Sequence, residues 1–398
     1  MTPYDFVSDI MSTPFDKPTI ESRLSVRGAK WHRDASDIIP LWLADPDYPL
    51  CPEIKQALRD AVEEEFTVYG SDTEARDSMS AKIKRVNKID VPASQIMLTQ
   101  GVTPGMWLAA RHATRPGDEV IVTDPMYYPF VSQTQIAQTH TVRWNLDIDD
   151  GYKFDIEQLK SLISSKTKLI FVCNPHNPAG RVMTKEELKG IADLAVDNGI
   201  YVYVDELWED IRNDGRKHIS LASLNPEIAD ITISGWGFSK MWGVPGLQAG
   251  YLAATNKVIF ESLTKHAYGV LRGTNNMGKA MAPVICSDKL DYWRNDMNKY
   301  LGEVRDLVTK RLTEMGDITV PNLEGTYLLF PRFNYGLTSA ELNKVIFEEG
   351  RVSLGTGITF GPKADNHMRI LTATSKKIMN EALDRIESII PTLEKMAK

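Results

Sequence analysis

The chain has 398 residues, with 46 Lys plus Arg against 53 Asp plus Glu and a formal charge of −7. Hydrophobic residues are 42% and charged residues 25%, a balance that excludes extended disorder; the length implies two domains or one large α/β domain with an appendage. The acid excess argues against a basic nucleic-acid binder, and no apolar run approaches the ~20 residues of a membrane helix.

Cys51, Cys173 and Cys286 are too few for a disulfide framework and form no CxxC pair. A reducing cytoplasm is the expected setting, with no thiolate zinc site. The opening stretch MTPYDFVSDIMSTPFDK carries acids and no apolar core, so no signal peptide is expected. No nucleic-acid or membrane partner is expected either.

Residues 1–50 read as irregular. CPEIKQALRDAVEEE reads as an amphipathic helix with Ile54, Ala57, Leu58, Ala61 and Val62 on one face. From about 95 to 255 short apolar runs alternate with helical stretches. QIMLT, EVIVTD, KLIFVC, IYVYVD, ITIS and GYLAAT are the predicted strands, nearly continuous in apolar residues as in a parallel sheet buried on both faces. Between KLIFVC and IYVYVD, TKEELKGIADLAVDNG opens with a capping box, Thr184 to Glu187, and closes at Asn198-Gly199. That is a β-α-β unit with both helix ends written out. Beyond 255, SDKLDYWRNDMNKYLGEVRDLVTKRLTEM is a long helix, TYLLFPRF and HMRILTAT are strands, and a last helix runs from about 375 to 395. The order fits a large central α/β domain flanked by a smaller α+β domain made from both chain ends.

Ligands of parallel α/β sheets gather beyond the carboxyl ends of the strands. There the sequence places Gln100-Gly101-Val102-Thr103 at a helix start, suited to a phosphate. Pro125-Met126-Tyr127-Tyr128 follows the second run, Asn174-Pro175-His176-Asn177-Pro178 the third, Asp205 ends the fourth, and Ser239-Lys240 comes after ITIS. A phosphate cradle, an aromatic face, an amide, a carboxylate and a lysine suit pyridoxal 5′-phosphate. That cofactor needs an amine for its Schiff base, an acid opposite the pyridine nitrogen, a donor to its phenolic oxygen and a ring to stack on.

With NPHNPAGRV, DELWEDI, SGWGFSKMWGVPGLQAGY and HMRI, the chain resembles the fold-type I PLP-dependent enzymes of the class I/II aminotransferase superfamily over roughly residues 20–390. Arg27 to Trp31, Trp42 to Asp45, Pro125 to Phe130 and Asn174 to Arg181 are most similar to its cystathionine β-lyase-like branch. The resemblance implies the aspartate aminotransferase-like fold. Residues 1–50 would form an N-terminal arm and part of the small domain. Residues 51–285 would form the large PLP-binding domain with a mostly parallel seven-stranded sheet, and 286–398 a connecting helix and the small α+β domain. It implies a homodimer working on an amino acid and a 2-oxo acid. Lys240 would hold PLP and move the proton, Asp205 would pair with the pyridinium, Asn177 and Trp208 would face the phenolic oxygen, and Tyr127 would stack on the ring. Gly101, Val102 and Thr103 would hold the phosphate, with Tyr69 reaching it from the neighbouring subunit, and Ser239 would join the cofactor site. Arg369 would bind the substrate carboxylate beside Asn177 and Ala44.

The chain departs from that pattern at Trp208, where relatives have Tyr or His, at Gln248 in place of a phosphate-binding Arg, and at Gly237 in place of Ser; Arg272 is a candidate substitute cation. His176 reads as structural, and the scattered histidines give no metal site. Trp31, Trp42, Trp107, Trp236 and Trp242 read first as core, and Asp45 and Asp47 as a turn that is also a candidate substrate contact. Transamination is the first reading. A β-eliminating C–S lyase on the same cofactor is the second, and a non-catalytic ligand-binding regulator the third.

Overall fold

A computed structural model describes residues 13–213, 215–271 and 273–398. Most of the opening stretch read for a leader, and Arg272, lie outside them.

All six predicted apolar runs form strands of one sheet: β1 (Ile96–Thr99), β2 (Glu119–Asp124), β4 (Thr167–Cys173), β5 (Tyr201–Asp205), β6 (Thr232–Gly237) and β7 (Gly250–Ala253), joined by β3 (His140–Asn145). The sheet has seven strands in the order β1-β7-β6-β5-β4-β2-β3. Contacts from β6 through β5, β4 and β2 to β3 are parallel. β7 runs antiparallel to both β1 and β6, so GYLAAT corrects the parallel expectation. β3 escaped the sequence reading because HTVRWN is polar and half-exposed at the sheet edge.

Helix Lys185–Asn198 carries the predicted ends. Thr184 Oγ1 accepts from the Glu187 amide at 3.1 Å, Glu187 Oε2 accepts from the Thr184 amide at 2.8 Å, and Gly199 closes the helix at φ +62°. Helix Pro52–Glu63 buries Ile54 and Ala61 but leaves Val62 61% exposed, so the predicted apolar face is narrower than drawn.

The chain ends also differ in detail from expectation. Residues 13–50 hold short helices at Ile20–Leu24 and Ala29–His32 and a strand at Ile39–Pro40, which pairs in parallel with Val352–Ser353. TYLLFPRF splits into Leu328–Leu329 and Arg332–Phe333, because only the first pair joins Met368–Leu371. The long helix begins at Asp291 and runs 25 residues to Met315, about 38 Å. The last helix is broken at Ile389 into Lys376–Ser388 and Ile390–Met396, with a proline in the first turn of the second piece. Among the described residues no helix is long and apolar enough to cross a membrane. The three cysteines are buried and unbridged.

A candidate cofactor and substrate cavity

The strand ends of the sheet open into a cavity of about 710 Å³. Its wall collects Ala44, Gly101, Val102, Thr103, Tyr127, Asn177, Asp205, Trp208, Ser239, Lys240 and Arg369. These are all the predicted site residues except Tyr69, whose side chain stands fully exposed and does not line its own chain's cavity.

The candidate phosphate cradle lies where β1 meets helix Thr103–Ala113. Gly101 sits at φ +83°, and β7 passes so close that a Cβ on Gly250 would fall 2.7 Å from the Gly101 Cα. The Thr99 hydroxyl donates to the Gly101 carbonyl at 2.6 Å and the Tyr203 hydroxyl to the Val102 carbonyl at 2.9 Å. A trans peptide points its N–H opposite its carbonyl, so the Val102 and Thr103 amides face away from these hydroxyls, as first-turn donors without a helix partner.

Asp205 ends β5 in register with Cys173 on β4. Its Oδ1 accepts the Leu207 amide at 2.9 Å. Burial pushes its carboxyl up to about 7, against the pull of the Leu207 N–H and of Lys240. A cation at the pyridine position would remove that penalty. Lys240 donates through Nζ to the Ala44 carbonyl at 2.8 Å and lies 5.6 Å from the Trp208 ring centroid. Burial, and then Arg369, bring its amine down to about 8, so a far larger share of it is neutral and nucleophilic near neutral pH than in an ordinary lysine. The Tyr127 amide donates to the Asn177 carbonyl at 3.1 Å, which fixes the ring beside that amide. Burial raises the Tyr127 phenol to about 12.

Arg369 is buried. Its Nη2 donates to the Trp42 carbonyl at 2.8 Å and Nη1 to Asn177 Oδ1 at 3.3 Å, and its guanidinium lies 4.7 Å from the Phe360 ring centroid. Its Nε has no partner among the described residues, and burial lowers the group to about 10. A fork of N–H donors held in a cavity wall with an unused donor is suited to a carboxylate. Cradle, amine, buried acid, ring and fork together fit pyridoxal 5′-phosphate with an amino acid.

Gln248 has φ +46° and is exposed, and it does not line the cavity. At Gly237 a Cβ would come 2.8 Å from Leu207 Cδ1, so Leu207 occupies the space a larger residue would need. His176 is fully buried between the Thr123 hydroxyl (2.9 Å) and the Ala179 amide (3.3 Å), and burial lowers it to about 3. Asp47 turns into the protein, taking Trp31 Nε1 at 2.7 Å and Lys30 Nζ at 2.9 Å. Asp45 stays near Lys240, its carboxyl raised by burial. Of the five tryptophans read as core, Trp42 lines the cavity; Trp31, Trp236 and Trp242 are buried in the core, and Trp107 packs against it.

Beneath the floor the chain alternates. Asp205, Leu207 and Trp208 face the cavity, while Glu206 and Glu209 enter a polar cluster. Glu206 Oε2 accepts from Asn87 (3.2 Å), Ser220 (2.6 Å) and Trp236 (3.0 Å) and pairs with His218 (3.2 Å). Lys82 pairs with Glu209, and both Lys82 and Asn87 come from the stretch that runs into the π-helical turn Ile83–Asn87. The grouping of His218 with two glutamates was not expected from histidine spacing; the ammonium of Lys82 already supplies it with a cation. The sequence reading also missed Arg33, Tyr128, Leu354, Thr356, Thr359 and Phe360 in the wall. Tyr128 was signalled by its neighbour Tyr127; the others come from distant segments that carry no motif.

A lysine, a buried acid and a phosphate cradle at the ends of a mostly parallel sheet define a PLP-dependent enzyme of the aspartate aminotransferase-like fold. Residues 36–386 match the aminotransferase class I and II family, and the chain belongs to it. It is similar to the aspartate aminotransferase of Pyrococcus horikoshii, 31% identical over 360 residues that cover 89% of this chain and 91% of the relative. It is also similar to a cystathionine β-lyase of Bacillus subtilis, 28% identical over 391 residues, covering 94% and 99%. The solved structure of cystalysin from Treponema denticola, which contains pyridoxal 5′-phosphate, superposes with a TM-score of 0.88 at 26% identity, covering 95% of this chain and 99% of that one.

Proposed function

We propose that the chain transfers an amino group between an L-amino acid and a 2-oxo acid, with Lys240 as its proton-moving amine. The carrying observation is the Lys240 amine, brought down to about 8 in the same cavity as Asp205 and Arg369. Pyridoxal phosphate, when bound, supplies the electron sink that makes the substrate Cα acidic. Asp205 holds a proton at the pyridine nitrogen, its own charge stabilised by that cation. Asn177 and Trp208 orient the phenolic edge, and Tyr127 covers the ring face. The Val102 and Thr103 amides, the Gly101 turn and Ser239 hold the phosphate. Arg369 takes the α-carboxylate, beside Asn177 and the Ala44 backbone, and so presents the Cα proton to Lys240 Nζ.

A second reading, β-elimination of a thiolate, is supported by the near full-length similarity to a cystathionine β-lyase. Both reactions begin with the same proton removal by Lys240. Titration with single amino acids separates them. Stoichiometric pyridoxamine phosphate means transfer; pyruvate, ammonia and thiol from cystathionine mean elimination.

The working form is a cytoplasmic homodimer. Val62, Val68, Tyr69, Tyr268 and Val270 are exposed apolar side chains, and the 66–70 segment is pinned to helix Asn276–Ile285 by Asn276 donating to the Phe66 carbonyl at 3.0 Å. A second copy covering this face brings Tyr69 to the neighbour's phosphate. Sedimentation equilibrium with a parallel assay tests it: Tyr69→Ala lowers cofactor affinity without splitting the dimer.

A further inference from the structure

We propose that a second cleft, between residues 146–152 and 362–367, binds a short aliphatic carboxylate outside the cofactor cavity. The cleft has a volume of about 230 Å³ and shares no wall residue with the cavity that contains Lys240. Pro125 in its wall adjoins Met126, whose amide donates to the Phe360 carbonyl at 2.7 Å, and Phe360 lines the cavity. The cleft therefore lies behind that part of the cavity wall.

Its two sides differ in chemistry. On one side Lys363, Asn366 and His367 come from a single turn, and none of their side chains has a hydrogen bond or ion pair among the described residues. Arg332 stands across an antiparallel bridge from His367. Its charge is already matched: Nη1 and Nη2 donate to Asp149 at 2.9 and 2.7 Å, and Nε to Asn334 at 2.9 Å. Lys363 is then the cation without an ion pair. Asp147, the one acid in the wall, is exposed, and its Oδ1 accepts the Asp149 amide at 3.0 Å; water weakens its field in the cleft. What selects an anion is the donor set. His367 is buried, and its ring is stacked on Phe330 with centroids 5.0 Å apart. Burial, and then Arg332, lower it to about 4, so near neutral pH the ring is neutral with one N–H to give. A buried polar ring without a partner is costly, and a ligand oxygen relieves that cost. The facing side is Pro125, Leu146 and Ile148, which suits a hydrocarbon chain. At ~30 Å³ per water the space holds roughly eight waters, the size of an acid of about four carbons with little to spare.

The test is calorimetric titration of holoenzyme carrying Arg369→Gln, which removes the fork of the main cavity, with butyrate, acetate and butyramide. Butyrate binds at one site per chain. Acetate, without the hydrocarbon chain, and butyramide, without the charge, each bind about tenfold more weakly. Adding Lys363→Gln, at an exposed position, weakens butyrate about tenfold. No butyrate binding in the Arg369→Gln protein, a butyrate affinity unmoved by Lys363→Gln, or acetate or butyramide binding as tightly as butyrate overturns the proposal. If the doubly substituted protein fails to fold, wild-type holoenzyme crystals soaked in butyrate decide: density against Lys363 and His367 supports the site, and an empty cleft overturns it. None of these outcomes depends on whether the enzyme transfers or eliminates.

Discussion

Asn177, Asp205 and Lys240 reach the cavity floor from neighbouring strands of one sheet, whereas Trp42 and Arg369, which meet at its mouth, lie 327 positions apart in the chain. The floor is held by backbone register and by the polar cluster under it. The mouth is held by side chains from both chain ends, which meet because Ile39–Pro40 pairs with Val352–Ser353. A floor of this kind is suited to holding a cofactor rigidly. A mouth assembled from remote segments is where substrate choice varies without disturbing it.

Substitutions break the comparison in order of effect. Lys240→Ala removes the proposed proton-moving amine and lowers turnover by about 10²–10⁴-fold; single-turnover kinetics measures it, and borohydride no longer leaves a pyridoxyl adduct at 240. Glu206→Ala strips four partners beneath the floor and costs about 3 kcal/mol of stability, read by chemical denaturation, with the floor residues then loosened together.

Asp205→Asn keeps the shape and loses the charge. Turnover falls roughly 10²-fold, while the cofactor-free protein gains stability at high pH. The sign follows from the raised carboxyl: its pKa of about 7 lies above the 3.8 of an ordinary aspartate, so the folded state is fully favoured below about 4 and penalised as pH rises through 7. Cofactor-free Asp205→Asn therefore melts above wild type at pH 8 and level with it below pH 4.

At the mouth, Arg369→Gln removes a charged fork worth roughly 1.5–3 kcal/mol. It lowers kcat/KM by on the order of 10–10²-fold, mainly through KM, and leaves the cofactor's visible band in place. Thr184→Ala, on the helix between β4 and β5, costs about 1 kcal/mol through the lost cap. A melting-temperature drop with unchanged kcat locates that residue in the scaffold.

The same contrast explains what was legible. Floor residues follow strand ends, and strands announce themselves as β-branched runs, so Asn177, Asp205 and Lys240 were found by asking what comes next. Thr184 and Gly199 were legible because caps are local chemistry. β3 was not, since an edge strand needs no apolar face, and the antiparallel sense of β7 depends on sheet order, which no local pattern carries. Arg33 and Phe360 were invisible because only the pairing of distant segments brings them to the cavity.

The DELWE stretch places two carboxylates back to back, Asp205 toward the cavity and Glu206 toward Lys82's cluster. Frame there is as informative as composition. Deleting one residue just before it would put Glu206 where Asp205 stands, Asp205 in the apolar core slot of Val204 and Leu207 in the polar cluster, leaving the amino-acid content of the turn nearly intact while misplacing both charges. Natural variation in this part of the chain is therefore expected to proceed by replacement and to avoid insertion.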